Sequence, residues 1–459
     1  MGVLTRSAGK PCVARICAAN PRGQRGRARA GLLVLLILVC APAAALAQDP
    51  PKNTGTAAPQ TTPPQTLAID RTMEAGEAEV QDPKRKLVDW NEYEGPLFTF
   101  RFGGAILYEF ANYAQDANSR QQFPLSYGSG VRDARFLFKG RLKFKREVTY
   151  TVGLMYDGAS DEFLFRETGV MIAVPRLLGY FFVGRTKEGF SLMKVMSGYS
   201  VWTPERSTIN DATIPILADG IKWLGYAPKA HFLWNIGFYG DWISEDASFA
   251  TADRQVSGRF AWLPVIENDG GSLVHLGVSA RLSKPDNDSA RLRSRPEAYL
   301  APFFIDTGSF DATATKSIQG EAYYRPGPWL FGTEYFAQGL DAPQDGNPLF
   351  HGGEALVAWL MTGETRPYNT RGGFFGFVSP NQPVFAGGPG AWELVARVSY
   401  SDLNGGTRTG GTFWRFTPMA NWYLSDQLRL EFTYGYGSLN RFGLVGKTQF
   451  FQMRVQFKL

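Results

Sequence analysis

The fold of this chain is decided by alternating segments such as Leu428-Arg429-Leu430-Glu431-Phe432-Thr433-Tyr434-Gly435-Tyr436. One face of this segment is wholly apolar or aromatic, and the other face carries polar residues or glycine. The last nine residues, Phe451-Gln452-Met453-Arg454-Val455-Gln456-Phe457-Lys458-Leu459, alternate in the same way. Strict alternation with a period of two predicts β-strands that differ in character on their two faces.

The same period continues backwards along the chain to Leu97, with no helical pattern between the segments, which favours an antiparallel sheet. Further strands are predicted at 97–102, 131–145, 148–157, 218–226, 231–241, 273–283, 314–325, 329–338, 353–361, 391–401 and 411–424. Weaker candidates lie at 163–173, 178–186, 257–265 and 294–302. If 97–459 holds sixteen strands, each strand with its share of turn and loop takes about 23 residues, and even numbers are the rule for bacterial barrels.

The outward faces indicate the kind of sheet. The polar faces carry Arg, Lys, Glu and Gln, which suit a water-filled bore. The apolar faces carry Trp and Tyr at segment ends, as at Trp392, Tyr400, Trp414 and Trp422, which is typical of aromatic girdles at two membrane interfaces. Only a closed barrel pairs every backbone amide of a sheet in lipid. We therefore predict an all-β fold, a transmembrane antiparallel β-barrel of sixteen strands around an aqueous channel.

The connections are expected to alternate in length. The turns at 145–147 and 425–427 are tight, whereas the stretches at 112–130, 187–216 and 362–390 are long. Short periplasmic turns and long external loops produce this asymmetry in bacterial barrels.

The amino-terminal part predicts export. Residues 1–47 combine seven basic residues, no acidic residue, an apolar run at 31–40 and the small-residue ending Ala45-Leu46-Ala47, which together predict a signal peptide cleaved before Gln48. Residues 48–94 are predicted to be a flexible Pro/Thr-rich periplasmic segment, and residues 95–459 the outer-membrane barrel.

Cleavage would change the charge of the protein. The chain has 48 basic and 42 acidic residues, and removal of the seven basic ones in 1–47 leaves 41 against 42. All three cysteines, at 12, 17 and 40, also lie in the predicted signal peptide. We therefore expect no nucleic-acid partner, no disulfide and no cysteine-bound metal in the exported protein.

One strand carries a row of basic residues. In 135–145, Phe136, Phe138, Leu142 and Phe144 share one face, and the other face holds Arg135, Lys139, Arg141, Lys143 and Lys145. Such a row is roughly 33 Å long at about 3.3 Å per residue. Because charges facing lipid are costly, we predict that the row faces the bore, where it would attract anions. The alternative is an ordinary charged wall in which acids such as Glu393 and Glu431 balance these cations.

Catalytic and metal-binding patterns are absent from the sequence. His231, His275 and His351 have no metal-ligand spacing, and no local Ser/His signature of a hydrolase is present. His231 is expected to be a structural residue facing the bore. We predict no enzymatic activity, no catalytic residue, no metal and no cofactor.

Four segments resemble one known family. They are 184–192 (Gly-Arg-Thr-Lys-Glu-Gly-Phe-Ser-Leu) with 204–207 (Pro-Glu-Arg-Ser), then 360–368, 390–403 with its Gly-Ala-Trp-Glu beginning, and 421–424 (Asn-Trp-Tyr-Leu). In their residues and in their order, these segments resemble segments of the phosphate-selective porin O and P family, and the resemblance covers roughly 97–459.

The resemblance implies a homotrimeric sixteen-stranded channel for anions such as phosphate, with a loop folded inward as a constriction. The family pattern Phe-x-Leu-x-Lys-x-x-Ser places constriction residues at Lys194 and Ser197, and Lys187 lies in the same loop. Met193, Gly198 and Tyr199 depart from the phosphate-specific pattern, so the resemblance implies a weaker ring of charge here.

The predicted function is a passive outer-membrane channel for small anions, phosphate or polyphosphate-like solutes among them. The anion-binding residues would be Lys194, Ser197, Arg135, Lys139, Arg141 and Lys187. Expected partners are outer-membrane lipid, lipopolysaccharide and small anions. The alternatives are a general, weakly selective diffusion porin, an outer-membrane hydrolase and a structural barrel without a channel.

Overall fold

The computed structural model describes residues 91–158, 160–240, 252–267 and 271–459. The predicted signal peptide and all but the last four residues of 48–94 lie outside the described residues.

Sixteen long strands form the wall. They are β1 (Thr99–Gln115), β2 (Gly128–Lys143), β3 (Glu147–Asp157), β4 (Thr168–Val174), β5 (Gly179–Thr186), β6 (Ala218–Ala227), β7 (Phe232–Gly240), β8 (Ala252–Ile266), β9 (Leu273–Pro285), β10 (Ala314–Arg325), β11 (Trp329–Asp341), β12 (Leu349–Leu360), β13 (Ala391–Gly405), β14 (Arg408–Tyr423), β15 (Leu428–Arg441) and β16 (Leu444–Lys458).

The sheet is closed, since each strand pairs antiparallel with its sequence neighbours and β1 also pairs with β16. Short strands Glu92–Glu94 and Glu162–Phe165 add to the edges of β1 and β3. The prediction of a sixteen-stranded antiparallel barrel is confirmed. Closure satisfies the backbone groups of every wall strand and leaves no free sheet edge.

One weak strand prediction is wrong. Residues 294–302 belong to the connection between β9 and β10, where the two-residue strands Arg293–Ser294 and Ile305–Asp306 pair with each other instead of with the wall. Pro296 and Pro302 lack the N–H that a central strand donates, which explains why this segment does not join the wall.

The two faces of the wall differ as the alternation predicts. On β15, Arg429 and Glu431 are fully buried, whereas Phe432 and Tyr434 on the outer face are 40% and 36% exposed. Trp392 stacks on Trp422 across β13 and β14 with ring centroids 4.9 Å apart. The opposite rim carries Tyr400 and Trp414, and Tyr400 is eight residues from Trp392, about 26 Å along an extended strand. The two aromatic rows therefore delimit an apolar band of membrane dimensions.

The helices are short and lie in connections: α1 (Ala117–Gln122), α2 (Leu192–Val195) and α3 (Thr208–Thr213), with 3-10 turns at Pro175–Leu177, Asp286–Asp288, Pro343–Asp345 and Val384–Ala386. The remaining two-residue strands form two more pairs, Ser289–Ala290 with Phe310–Asp311 and Tyr368–Asn369 with Phe374–Phe375. Within the described part of the chain, no helix has both the length and the apolar character of a membrane span.

Strand direction sorts the connections between two ends of the barrel. The long connections 116–127, 187–217 and 286–313 follow odd-numbered strands and share one end, which we call the long-loop end. The turns 144–146, 175–178, 326–328 and 424–427 follow even-numbered strands and share the other end, which we call the short-turn end.

The long connection 361–390 was expected among the external loops, and this prediction is wrong. It follows the twelfth strand, so it begins and ends at the short-turn end. There the backbone N–H of Val384 donates to Leu424 O, and the indole of Trp422 donates to Pro389 O. Its length alone led to the wrong assignment, because the direction of the preceding strand determines at which end of the barrel a connection lies.

Three connections fold into the barrel rather than away from it. Residues 187–217 and 286–313 enter from the long-loop end and 361–390 from the short-turn end. Arg366 joins two of them, donating to Ser200 O and to Gly376 O at 3.0 Å each. Arg415 of the wall donates to Pro296 O and Glu297 O at 2.7 and 2.9 Å. The bore is therefore partly filled by polypeptide, and its open space is set by these segments.

Candidate functional site

The connection 187–217, which we call the constriction loop, is anchored where α2 begins. Ser191 has a φ of 61° and caps α2, and its hydroxyl donates to Glu334 Oε2 at 2.6 Å. The N–H groups of Leu192 and Met193 donate to Glu321 and Glu334 at 2.8 and 2.9 Å. Buried carboxylates on β10 and β11 thus satisfy helix-end donors that would otherwise be unpaired in the bore.

The tip of the constriction loop is held on the opposite wall. Three of its backbone carbonyls accept hydrogen bonds from side chains of the last wall strands: Tyr199 O from Gln456 at 3.0 Å, Val201 O from Arg429 at 2.9 Å and Trp202 O from Asn421 at 2.9 Å. The loop therefore crosses the bore from β10 and β11 to β14–β16, and the predicted inward constriction loop is confirmed.

A cavity of about 380 Å³ lies between the constriction loop, the wall strands β2 and β3, and the loop 286–313. We call it the vestibule. Arg135, Lys187 and Lys194, three of the six residues predicted to bind anions, all line it. It lies on the side of the bore where the predicted basic row runs.

Lys194 is held in place by α2 and by Asp211. Its side chain is 96% buried, and its ammonium lies 3.2 Å from Asp211 Oδ1. Burial lowers the pKa of Lys194, Asp211 opposes that effect and Arg206 adds to it. The ammonium is therefore largely removed from water.

Lys187 lies at the start of the constriction loop. Its ammonium donates to Met196 O at 2.8 Å and lies 3.9 Å from Glu167. It therefore fastens the loop as well as lining the vestibule.

The constriction loop approaches the basic row closely at Arg135, Gly198 and Tyr199, which we call the neck. The Arg135 guanidinium lies 5.5 Å from the centre of the Tyr199 ring and is paired with Asp133 at 2.8 Å. A Cβ on Gly198 would lie 2.9 Å from an Arg135 nitrogen. Glycine at 198 therefore lets the guanidinium approach the loop backbone closely.

Lys139 lies on the other side of Tyr199 from the vestibule. With Arg101 and Tyr199 it lines a small second cavity next to the carboxyl-terminal Leu459. Lys458 also lies near the Tyr199 ring, with its ammonium 5.3 Å from the ring centre. Cations thus flank the neck towards the short-turn end as well.

The other predicted residues are placed less centrally. Ser197 precedes Gly198 at the neck and is 8% exposed, and its hydroxyl has no hydrogen-bond partner among the described residues. Arg141 is half-buried near the end of β2, two residues after Lys139 and on the same face of the strand. Lys143 pairs with Glu94 at 2.9 Å, and Lys145 lies past the end of β2 in the turn. The basic row on the strand is therefore shorter than predicted, because the chain turns at 144–146.

Sequence reasoning missed five further cations of the vestibule, which are Arg132, Arg166, Arg206, Arg293 and Arg295. The Arg-x-Arg-x-Arg pattern of 291–295 was the available signal. The strict alternation of β2 would place Arg132 on the outer face. An irregularity in the pairing of β1 with β2 at this position turns Arg132 into the bore, so the sequence pattern did not indicate it.

The vestibule also contains six acidic side chains, which are Asp133, Asp157, Glu162, Glu205, Asp211 and Glu297. Although burial opposes it, Arg132 and Arg454 lower the pKa of Glu205 to about 2, so this carboxylate stays ionised in neutral solution. Arg132 Nε lies 2.8 Å from Glu205 Oε1. With eight basic residues against six acidic ones, the excess charge of the vestibule is positive.

The histidines contribute no metal site. His231 was expected to face the bore, but it lies in the turn before β7 with a φ of 51°. In the part of the chain that the structure describes, no group of three or more His, Cys, Asp or Glu side chains is arranged to hold a metal ion.

A closed sixteen-stranded barrel with aromatic girdles and a loop folded into a charged bore is the architecture of an outer-membrane porin. The chain belongs to the phosphate-selective porin O and P family, whose model matches residues 100–459. It is thus a porin channel of the bacterial outer membrane, a class of barrel in which the short turns usually face the periplasm.

Two curated proteins are similar to this chain. Porin O of Pseudomonas aeruginosa is 24% identical over 383 residues, covering 73% of this chain and 82% of that protein. An uncharacterized protein of Caulobacter vibrioides is 30% identical over 189 residues, covering 39% of this chain and only 36% of that protein's length.

Solved structures share the fold. OmpT of Vibrio cholerae, in a loop L8 deletion mutant, matches with a TM-score of 0.50 at 12% identity, covering 79% of this chain and all of that chain. The outer membrane channel DcaP of Acinetobacter baumannii also has a TM-score of 0.50, at 7% identity, covering 80% of this chain and 99% of that chain. At these identities the likeness concerns the fold alone.

Proposed function

We propose that this porin is a passive channel that favours small anions, phosphate among them. The observation that carries the proposal is the set of cations that line the vestibule, the neck and the second cavity. Arg135, Lys187 and Lys194 line its outer part, and Lys139 lies beyond Tyr199. The name of the family adds phosphate as a candidate solute.

The chemistry suits a phosphate oxygen or another small oxyanion. A guanidinium can donate two parallel hydrogen bonds, and an ammonium is a compact charge. Arg135 has Asp133 nearby and Lys194 has Asp211, which limits how tightly an anion is held. Flux requires weak binding at several sites rather than one strong site.

The test is the reversal potential of the purified protein in planar bilayers under a potassium chloride gradient. We expect the sign of the reversal potential to show that chloride is more permeant than potassium. We also expect added phosphate to reduce the chloride current in a concentration-dependent way. A potential near zero would instead support a general diffusion porin, and a cation-preferring sign would refute the proposal.

Lys194→Ala is expected to lower the chloride-to-potassium permeability ratio about twofold to fivefold, since one charge near a hydrated path contributes roughly 0.5 to 1 kcal/mol. It should also weaken the block by phosphate. Lys145→Ala is the matched control, because it removes the same charge from the turn after β2. If the two variants change the permeability ratio equally, the proposal that Lys194 contacts permeating anions is contradicted.

We also propose that the protein assembles as a homotrimer in the outer membrane, in contact with lipid and lipopolysaccharide. OmpT of Vibrio cholerae has been solved in a trimer form, and it shares this barrel fold. Light scattering of the detergent-solubilised protein should give three chains per particle, and a monomeric mass would contradict the proposal.

A further inference from the structure

The wall of the vestibule is not uniformly charged. Besides its charged residues, it is lined by the apolar side chains of Leu164, Ile216 and Phe303. Ile216 is 45% exposed, which is a large exposed fraction for an isoleucine at the edge of a cavity inside a barrel. A hydrated inorganic ion gains nothing from such a surface, whereas an apolar group does.

The aromatic rings of the vestibule are in contact with guanidinium groups. The Arg293 and Arg295 guanidinium carbons lie 4.2 and 4.7 Å from the centre of the Phe303 ring. The Arg132 guanidinium carbon lies 4.9 Å from the centre of the Tyr299 ring. A guanidinium held flat against a ring is a weakly hydrated cation that can also stack on a planar ligand.

The apolar side chains and the guanidinium groups line the same cavity, the vestibule. The apolar side chains come from the loop after β3, the end of the constriction loop and the loop 286–313, and the cations come from the same loops and from β2. A cavity of about 380 Å³ has room for a single aromatic ring system with its hydration water.

We propose that the vestibule binds organic anions that carry an apolar or aromatic group beside a sulfonate, carboxylate or phosphate group. This inference rests on the proposed anion preference and names a further class of solute for the same channel. The anionic group contacts the cations of the vestibule, and the apolar group covers Ile216, Leu164 and Phe303. Binding is weak enough for the solute to proceed past the neck.

The test uses three sulfonates of equal charge and increasing apolar area, namely methanesulfonate, benzenesulfonate and naphthalene-2-sulfonate. Each is added to the full-length mature protein in planar bilayers, and the concentration that halves the chloride current is measured. We expect this concentration to fall at least tenfold from methanesulfonate to naphthalene-2-sulfonate.

Variants locate the apolar contact. In the double variant Ile216→Ser, Leu164→Ser, the half-blocking concentration should fall threefold or less from methanesulfonate to naphthalene-2-sulfonate. The control Ile216→Leu keeps an apolar side chain and should retain the tenfold fall. Phe303→Ala provides a second, separate measurement with the same expected loss. Circular dichroism and the heat-dependent gel mobility of barrels confirm that each variant is folded.

The outcomes separate the two proposals. A half-blocking concentration that is the same for all three sulfonates would overturn this inference, and so would a trend that persists in both the double variant and Phe303→Ala. The reversal potential of the unmodified protein, read in the same membranes, reports the proposed anion preference independently. A cation-preferring potential would refute that preference whatever the sulfonates do.

Discussion

At the scale of single residues, the cations that we propose to guide anions are themselves paired with carboxylates. Arg135 is paired with Asp133 and Lys194 with Asp211, yet both pairs border open space. A buried cation that keeps one face towards a cavity remains able to attract a mobile anion. Paired cations of this kind favour transit over tight binding.

Gly198 offers a direct test of the neck. Gly198→Val is expected to lower single-channel conductance, because its side chain would occupy the space that the Arg135 guanidinium now fills at the loop backbone. Gly198→Ala, with one methyl group, should have a smaller effect of the same sign, since the end of Arg135 can shift. Planar-bilayer recordings give the conductance, and an unchanged value for the valine variant would show that the neck lies elsewhere.

At the scale of elements, the constriction loop depends on two wall carboxylates. Glu334 accepts from the Ser191 hydroxyl and the Met193 N–H, and Tyr323 donates to it as well, at 2.8 Å. Because α2 has only four residues, its position comes from these contacts rather than from its own stability.

Glu334→Ala should therefore release the start of the constriction loop. We expect frequent transitions between conductance levels in single-channel recordings, with the barrel still folded. Glu334→Gln is the matched control, because it keeps the size and one carbonyl acceptor, and it should be intermediate. A steady conductance in the alanine variant would show that the contacts at 199–202 hold the loop without help.

The sequence predicted elements far better than it predicted contacts. The period of two located the wall strands, since each strand has one face in lipid and one in the bore. The anchors Glu321 and Glu334 gave no local signal, because a carboxylate on a bore-facing position looks the same whether it meets water or a loop that is distant in sequence. The inward path of the constriction loop came from the family resemblance and not from the periodicity.

At the scale of the whole molecule, the direction of each strand assigns every connection to one side of the membrane. Phe385 in the connection 361–390 and Phe442 between β15 and β16 are 72% and 76% exposed, and they lie at opposite ends of the barrel. They form a matched pair for testing the topology.

Cysteines introduced as Phe385→Cys and Phe442→Cys should react differently on intact cells. A maleimide attached to a polymer too large for the bore is expected to label the residue 442 variant only, and to label both after the cells are permeabilised. The natural cysteines lie in the predicted signal peptide, so the unmodified exported protein is the blank. Labelling of the residue 385 variant on intact cells would place 361–390 outside and contradict the assignment of the short-turn end to the periplasm.

The amino-acid sequence by itself determined the class of fold, because a lipid-facing strand demands apolar residues at every second position and a closed barrel is the only sheet that satisfies its backbone in lipid. It also determined that Arg135 and Lys139 share a face. Only the tertiary structure decided that Lys139 and Lys194 line different cavities, that 361–390 enters from the short-turn end, and that Arg293 and Arg295 line the same cavity as Lys194. Those facts depend on where three inward segments meet, and the pairing of residues more than a hundred positions apart leaves no periodic trace along the chain.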